Sequence, residues 1–294
     1  MRTIVTTDSG CNPINMSKMI PCIIIDSNNQ SYYDMQKASN DKIPAISNLE
    51  IFERAVSGEI FRTSAPNIVD YVTFMEEYLE KDYNIIHLSM SSGISDGSVN
   101  SSNMAASILN DKYGDNRVTV IDTLTGGSGG TVLNTYAEEL LECGLTTKEI
   151  VEKIEHAKHN LVTSFYISKV EGFVKSGRAP VGLTLSDMLA FRYRIDVKEN
   201  GKLFPSFPVL RGKIHTQFMK WLKTIVNESN IYEYNPYYIS LLKTRLNEIE
   251  IEEAIKYLER FRYFQAEIKV DDFYGAICSY GVEDQVGIGL IKKK

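Results

Sequence analysis

Between Ser89 and Ser102, nine of fourteen residues are serine or glycine and none is cationic. Within this stretch Ser91-Ser92-Gly93 follows an apolar segment (84–90) and precedes a helix-like run, so hydroxyls gather where a strand hands over to a helix. A helix N-terminus presents unpaired N–H groups and a partial positive charge, and it can hold an anion without any Lys or Arg. Thr63-Ser64 stands at the start of another helix-like segment. Two such N-termini converging at one sheet edge would seat a carboxylate or a phosphate. Ser and Thr also occupy these positions simply as caps and turn residues, and spacing alone leaves both readings open.

A second candidate is Gly126-Gly127-Ser128-Gly129-Gly130, which fits G-x-S-x-G between a strand and a helix, the setting of a nucleophile elbow. A serine esterase using Ser128 is therefore the alternative reading; it needs an acid and a base downstream, with His156, His159 and His215 available. A string with four glycines fits many patterns, however, and His156 and His159 lie in a lysine- and glutamate-rich helix that reads as a solvated face. The same loop lacks the Gly-Lys-Ser/Thr that grips nucleotide phosphates. His156-x-x-His159 offers no third ligand by spacing, so no metal is expected. Gly287-Ile288-Gly289 lacks the third glycine of a dinucleotide loop and reads as a close approach by a terminal strand.

The elements that must position these residues alternate in the first half. Residues 2–9 read as a strand stopping at Asp8-Ser9-Gly10. Residues 63–83 read as a helix with Ser64 as cap and Pro66 in its first turn; 84–90 and 117–122 read as buried strands, and 131–144 as a helix closed by Gly144. Strand, loop and helix in repetition predict a parallel sheet with helices on both faces, a three-layer α/β domain. The second half changes character. A helix at 146–161 bridges to a hairpin at 191–207, whose Asn200-Gly201 is expected to supply two residues of positive φ. A helix (212–228), a strand (237–242), a helix (250–263) and a strand (264–270) complete a C-terminal α+β domain. The expected domains are 1–160 and 161–294, with the junction near 155–180.

At 294 residues the chain is long for one core, and two domains are the default. A formal charge of −6 excludes the broad basic face of a nucleic-acid binder. Neither a signal-like start nor an apolar run near the ~20 residues of a spanning helix is present. Cys11, Cys22, Cys143 and Cys278 form no CxxC pair, which suits reduced thiols. A soluble, cytoplasmic protein is expected.

Taken in order, the motifs resemble the DegV family, whose members include the fatty-acid-binding subunits of bacterial fatty acid kinase. The resemblance is carried by Thr7-Asp8-Ser9, Thr63-Ser64-Ala65-Pro66-Asn67, Ser91-Ser92-Gly93-Ile94-Ser95, Val120-Ile121-Asp122-Thr123, Lys175-Ser176-Gly177-Arg178-Ala179 and Val209-Leu210-Arg211-Gly212-Lys213. It implies two α/β domains enclosing one long-chain fatty acid. Thr63 and Ser92 would hydrogen-bond its carboxylate, with Ser64 beside them and Ser91 and the Gly93 backbone shaping the loop. It further implies no catalysis by this chain and no cofactor beyond the lipid: a separate ATP-dependent kinase subunit would phosphorylate the carboxylate. Arg211 would help dock that subunit, and Arg178 would serve docking or its own turn. Four places depart from the family pattern: Ala65 stands at a usual Gln, Asp96 at a usual Gly, Cys278 where a His is usual, and Ser128 with its flanking glycines at a more apolar segment.

Overall fold

The computed structural model describes residues 2–35, 43–167, 174–175, 191–211, 213–228, 238–244, 251–260, 267–279 and 285–291. The N-terminal part is organised by a parallel sheet of order β2-β1-β7-β8, formed by β1 (Arg2–Asp8), β2 (Met19–Ile20), β7 (Tyr83–Ser89) and β8 (Val118–Asp122). Apolar residues on both sides of these strands require cover on both faces. Ile4, Ile85 and Val118 are buried with Tyr71, Met75 and Leu109 of α2 (Ile68–Leu79) and α3 (Asp96–Tyr113). Val5, Ile86, Leu88 and Ile121 are buried with Ala137 and Ile154 of α4 (Ser128–Glu142) and α5 (Thr147–Lys158). The expected layered arrangement is thus present.

Helix α2 starts later than the sequence suggests, and Ser64 is not its cap. The Asn67 side chain accepts from the N–H groups of Val69 and Asp70, at 2.8 and 3.1 Å, while the Asp70 carboxylate accepts from the Asn67 N–H at 2.9 Å. Pro66 disfavours helical geometry in the residue before it, so the helix cannot begin at Ser64. Thr63 and Ser64 instead belong to β6 (Arg62–Ser64), paired with Ile24 and Ile23. This strand edges a small sheet of order β5-β4-β3-β6, with β3 (Ile23–Ile25), β4 (Ser31–Asp34) and β5 (Ala45–Ile46), followed by α1 (Asn48–Val56). Strands this short carry no readable alternation, and the sequence did not reveal them.

From β9 (Leu161–Ile167) onward a second, six-stranded sheet forms, of order β11-β10-β9-β14-β12-β13. It comprises β10 (Phe191–Val197), β11 (Leu203–Arg211), β12 (Tyr238–Lys243), β13 (Glu267–Asp272) and β14 (Val286–Ile291), antiparallel except for β12 with β13. One face is covered by α6 (Ile214–Glu228) and α7 (Ile251–Glu259) through Phe218, Trp221, Leu222 and Leu258. The other shares a core with the small sheet: Cys22, Ile24, Ile46 and Ile51 are buried with Phe165, Ile167, Tyr193, Phe273 and the short helix α8 (Gly275–Cys278). Among the described residues no helix is long and apolar enough to cross a membrane.

The hairpin forms where expected but with a different turn. Gly201 alone has positive φ, +73°, and Lys198 N–H to Lys202 C=O closes a three-residue loop at 3.0 Å. A three-residue loop needs one left-handed residue, not two, so Asn200 keeps an ordinary backbone.

The two sheets meet at the first turn of α4. A Cβ on Gly289 of β14 would overlap the Ser128 carbonyl, and one on Gly130 would lie 2.6 Å from Cys11 Cα. The glycines therefore serve close approach, as expected for Gly287-Ile288-Gly289.

Asp34 closes the junction between the small sheet and α8. It is fully buried; its Oδ2 accepts from the Ala276 N–H at 3.0 Å, and its Oδ1 has no hydrogen-bond partner. Burial pushes the carboxyl up to about 6, partly offset by the Ser9 hydroxyl and then by the Ala276 and Gly275 N–H groups. The folded chain therefore retains a proton that an unfolded chain releases near pH 4, and stability falls as pH rises through that window. Asp34→Asn is expected to gain about 2–3 kcal/mol over the wild type between pH 4 and pH 7, measured by denaturant melts at both pH values. A difference independent of pH would contradict the assignment.

Candidate functional site

A cavity of about 680 Å³, counting its open mouth, lies where the three sheets converge. The loops of the parallel sheet contribute Met90, Ile94, Ser95, Gly126 and Gly127. The small sheet adds Cys22, Thr63, Ser64 and Ala65, and the six-stranded sheet with its neighbours adds Phe165, Ile167, Leu203, Ala276, Ile277 and Gln285. Its chemistry is that of small-molecule pockets: an apolar wall with few polar groups.

The loop wall of the cavity is fixed by Asp8, at the carboxyl end of β1 and fully buried. Its Oδ1 accepts from Tyr71 OH at 2.5 Å and lies 3.2 Å from His87 Nε2; its Oδ2 accepts from Ser89 Oγ at 3.1 Å and the Met90 N–H at 2.8 Å. His87 Nδ1 lies 3.0 Å from Thr6 Oγ1, so one neutral tautomer satisfies both contacts, donating to Asp8 and accepting from Thr6. Burial alone would raise the Asp8 carboxyl, but bonds from His87, Tyr71 and Met90 outweigh it and hold the group below the usual range. Asp8 thereby sets the backbone of Met90, whose side chain lines the cavity.

Of the residues named from sequence, Thr63, Ser64 and the neighbouring Ser95 line the cavity. Ser64 Oγ donates to the Ala65 carbonyl at 3.2 Å, and Ser95 Oγ lies 2.9 Å from Ser98 Oγ. Ser91, Ser92 and Gly93 stand outside the lining. Ser91 is fully buried; its hydroxyl donates to the Gly201 carbonyl at 2.8 Å and accepts from the Gly93 N–H at 3.0 Å. The serine loop and the hairpin turn, separate motifs in the sequence, are thus in contact, and a Cβ on Gly93 would meet the Gly201 backbone 2.6 Å away. The Ser92 N–H donates to Asp122 Oδ1 at 3.2 Å, as does the Leu124 N–H at 3.1 Å, so Asp122 ties the two loops.

The esterase geometry is not formed. Ser128 is fully buried in the first turn of α4, and its Oγ has no hydrogen-bond partner. His156 contacts Asn160, His159 ends α5, His215 pairs with Glu253, and His87 is committed to Asp8 and Thr6. No histidine reaches Ser128 as a base. Asp96 is exposed at the start of α3 and lies off the lining. The Cys278 thiol donates to the Phe273 carbonyl and also lies off the lining. Arg178 lies outside the described residues; Arg211 ends β11 opposite Phe191, and its side chain lies outside them too.

The sequence did not disclose Cys22, Met90, Phe165, Ile167, Leu203, Ile277 or Gln285. The apolar ones look like ordinary core; Gln285 alone carried a signal, as the polar start of an otherwise apolar terminal strand.

Loops of a parallel sheet and a second, mixed sheet around an apolar cavity define an α/β protein of several sheets. The DegV family model, described as an uncharacterised protein family, matches residues 18–293, and the chain belongs to that family. A DegV domain-containing protein of Clostridium perfringens is 25% identical over 230 residues, covering 78% of this chain and 75% of that one. A fatty acid-binding protein of Thermotoga maritima is 31% identical over 153 residues, covering 51% of each. Among solved structures, the Streptococcus pneumoniae fatty acid kinase (Fak) B3 protein loaded with linoleic acid matches with TM-score 0.83 at 22% identity over 100% of both chains. A DegV family protein from Thermus thermophilus, described by its fatty acid binding, matches with TM-score 0.81 at 21% identity, over 99% of this chain and 100% of that one.

The Asp8 network and the Ser91 bridge differ in what they hold. Asp8→Asn removes the charge and one of the two oxygens on which four partners converge inside a dry site, and is expected to cost about 3 kcal/mol. Ser91→Ala removes one bridging hydroxyl and is expected to cost about 1–2 kcal/mol. Chemical denaturation of both variants checks the order; equal costs would refute it.

Proposed function

We propose that this chain binds one long-chain fatty acid in the cavity and presents its carboxylate to a separate ATP-dependent kinase subunit. The observation that carries the reading is the cavity itself: an apolar wall of Met90, Ile94, Phe165, Ile167, Leu203 and Ile277, with the hydroxyls of Thr63 and Ser64 on one side. Apolar lining suits an acyl tail, whose burial contributes about 0.8 kcal/mol per methylene. The neighbours with bound fatty acids and the fatty acid-binding relative support the ligand class; the likeness to Fak B3 supports the kinase partner.

In this reading the carboxylate lies at the hydroxyl-bearing side, held by Thr63 and Ser64, with Ser92 reaching it from the loop and Ser91 and Gly93 setting the loop's shape. Neutral donors fix a carboxylate without neutralising it. A lysine would form a charge-assisted bond and blunt the oxygen's nucleophilicity. One carboxylate oxygen then stays available to attack the γ-phosphorus of ATP on the partner, giving an acyl phosphate and ADP. The ligand sits between units 1–160 and 161–294, with Arg211 and Arg178 as docking residues for the kinase. Four free cysteines suit a reducing cytoplasm.

Mass spectrometry of organic extracts from natively purified protein, beside the intact complex, is expected to find one fatty acid per chain. Thr63→Val and Ser92→Ala are each expected to weaken retention about tenfold, the effect of one hydrogen bond to a charged group. A lipid-free protein that also fails to take up added fatty acid would sink the reading; unchanged retention in both variants would sink the carboxylate seat alone.

A further inference from the structure

Gln285 is the one large polar side chain in the cavity wall among the described residues, and it is 2% exposed. Its Nε2 is buried without a hydrogen-bond partner. The backbone holds the residue in place: the Gln285 N–H donates to Thr244 Oγ1 at 3.0 Å, and the Gln285 carbonyl accepts from the Thr244 N–H at 3.0 Å. A buried amide N–H left unpaired costs free energy, so at a backbone position held this way it calls for a partner from the ligand.

Strand register gives its depth. Val286 pairs with Tyr166 and Gly287 with Phe165, which places Gln285 opposite Ile167. Leu203 pairs with Val197, and Asp196 with Ser164, so Leu203 stands at the level of Thr163. Leu203 lies two residues from Gly201, which touches Ser91 of the serine loop. From the level of Leu203 to that of Ile167 is four residues of strand, roughly 13 Å at ~3.3 Å per residue. Gln285 is therefore remote from the serine loop, beside the apolar side chain of Ile167.

We propose that the cavity selects an acyl chain bearing a mid-chain hydroxyl, and that the Gln285 amide reads that hydroxyl. The inference rests on the fatty-acid reading above. A hydroxyl donates and accepts, so it satisfies the amide in either orientation. An unsubstituted acyl chain leaves the amide unpaired, and a site built around a hydrogen bond discriminates against the ligand that lacks it.

Isothermal titration calorimetry of the full, delipidated chain with stearic acid and with 10-hydroxystearic acid tests this. Wild type is expected to bind the hydroxy acid about tenfold tighter, as one net buried hydrogen bond allows. Gln285→Met and Gln285→Leu are expected to lose that preference while still binding stearic acid, which also reports that they fold. Equal wild-type affinities, or a preference that survives in either variant, overturns the inference and leaves the fatty-acid reading standing. Failure of wild type to bind either acid overturns both.

Discussion

The carboxylate of Asp8 is the interaction on which the loop wall depends. An ionised group with no water contact persists only when its lone pairs are filled, and four partners fill them from two elements: Tyr71 of α2, and His87, Ser89 and Met90 at the end of β7. The requirement runs in both directions. The donors keep Asp8 charged, and Asp8 fixes the path by which the chain leaves the sheet and enters the serine loop. Thr7 adds to this, donating from Oγ1 to the Leu88 carbonyl at 2.6 Å. The cavity's shape on that side follows from electrostatic satisfaction beneath it.

Elsewhere polar clasps tie distant parts of the fold together. Thr125 and Thr163 hydroxyls lie 2.9 Å apart, and Lys158 donates to the Asp122 carbonyl at 3.0 Å. Asn12, in left-handed backbone at φ 53°, donates to the Asp272 carbonyl at 3.2 Å and accepts from the Tyr274 N–H at 2.7 Å. These directional bonds fix how the elements meet, while the cavity wall is mostly apolar, where van der Waals contact imposes little orientation. The small sheet strengthens this plan by burying its isoleucines against the second sheet, so early residues complete a core built late in the chain.

Legibility in the sequence followed the length of the signal. The parallel sheet was readable because 84–90 and 117–122 are apolar runs followed by long amphipathic helices, and the observed strands end within a residue or two of them. The small sheet was not, since its strands have two to four residues. Thr63 and Ser64 were identified as site residues from a helix start that does not exist there; they line the cavity from a strand end instead. Ser91 and Gly201 could not be connected from sequence, because 110 residues separate them and only the packing of the hairpin brings them together. Ser128 looked chemical because the packing that demands its flanking glycines, against Thr125 and Thr163 on one side and Cys11 on the other, joins residues far apart in the sequence.

The cysteines divide unequally in space. Cys11, Cys22 and Cys278 are buried, and burial pushes all three thiols upward, Cys22 to about 12; Cys143 is exposed at the end of α4. Thiolate chemistry at neutral pH is therefore directed to one atom. The opposite end of that helix is wedged between the two sheets, roughly 22 Å away at ~1.5 Å per residue. A single fluorophore on Cys143 thus yields a homogeneous conjugate without any cysteine being removed, and its anisotropy reports the tumbling of a rigid helix rather than of a loose tether.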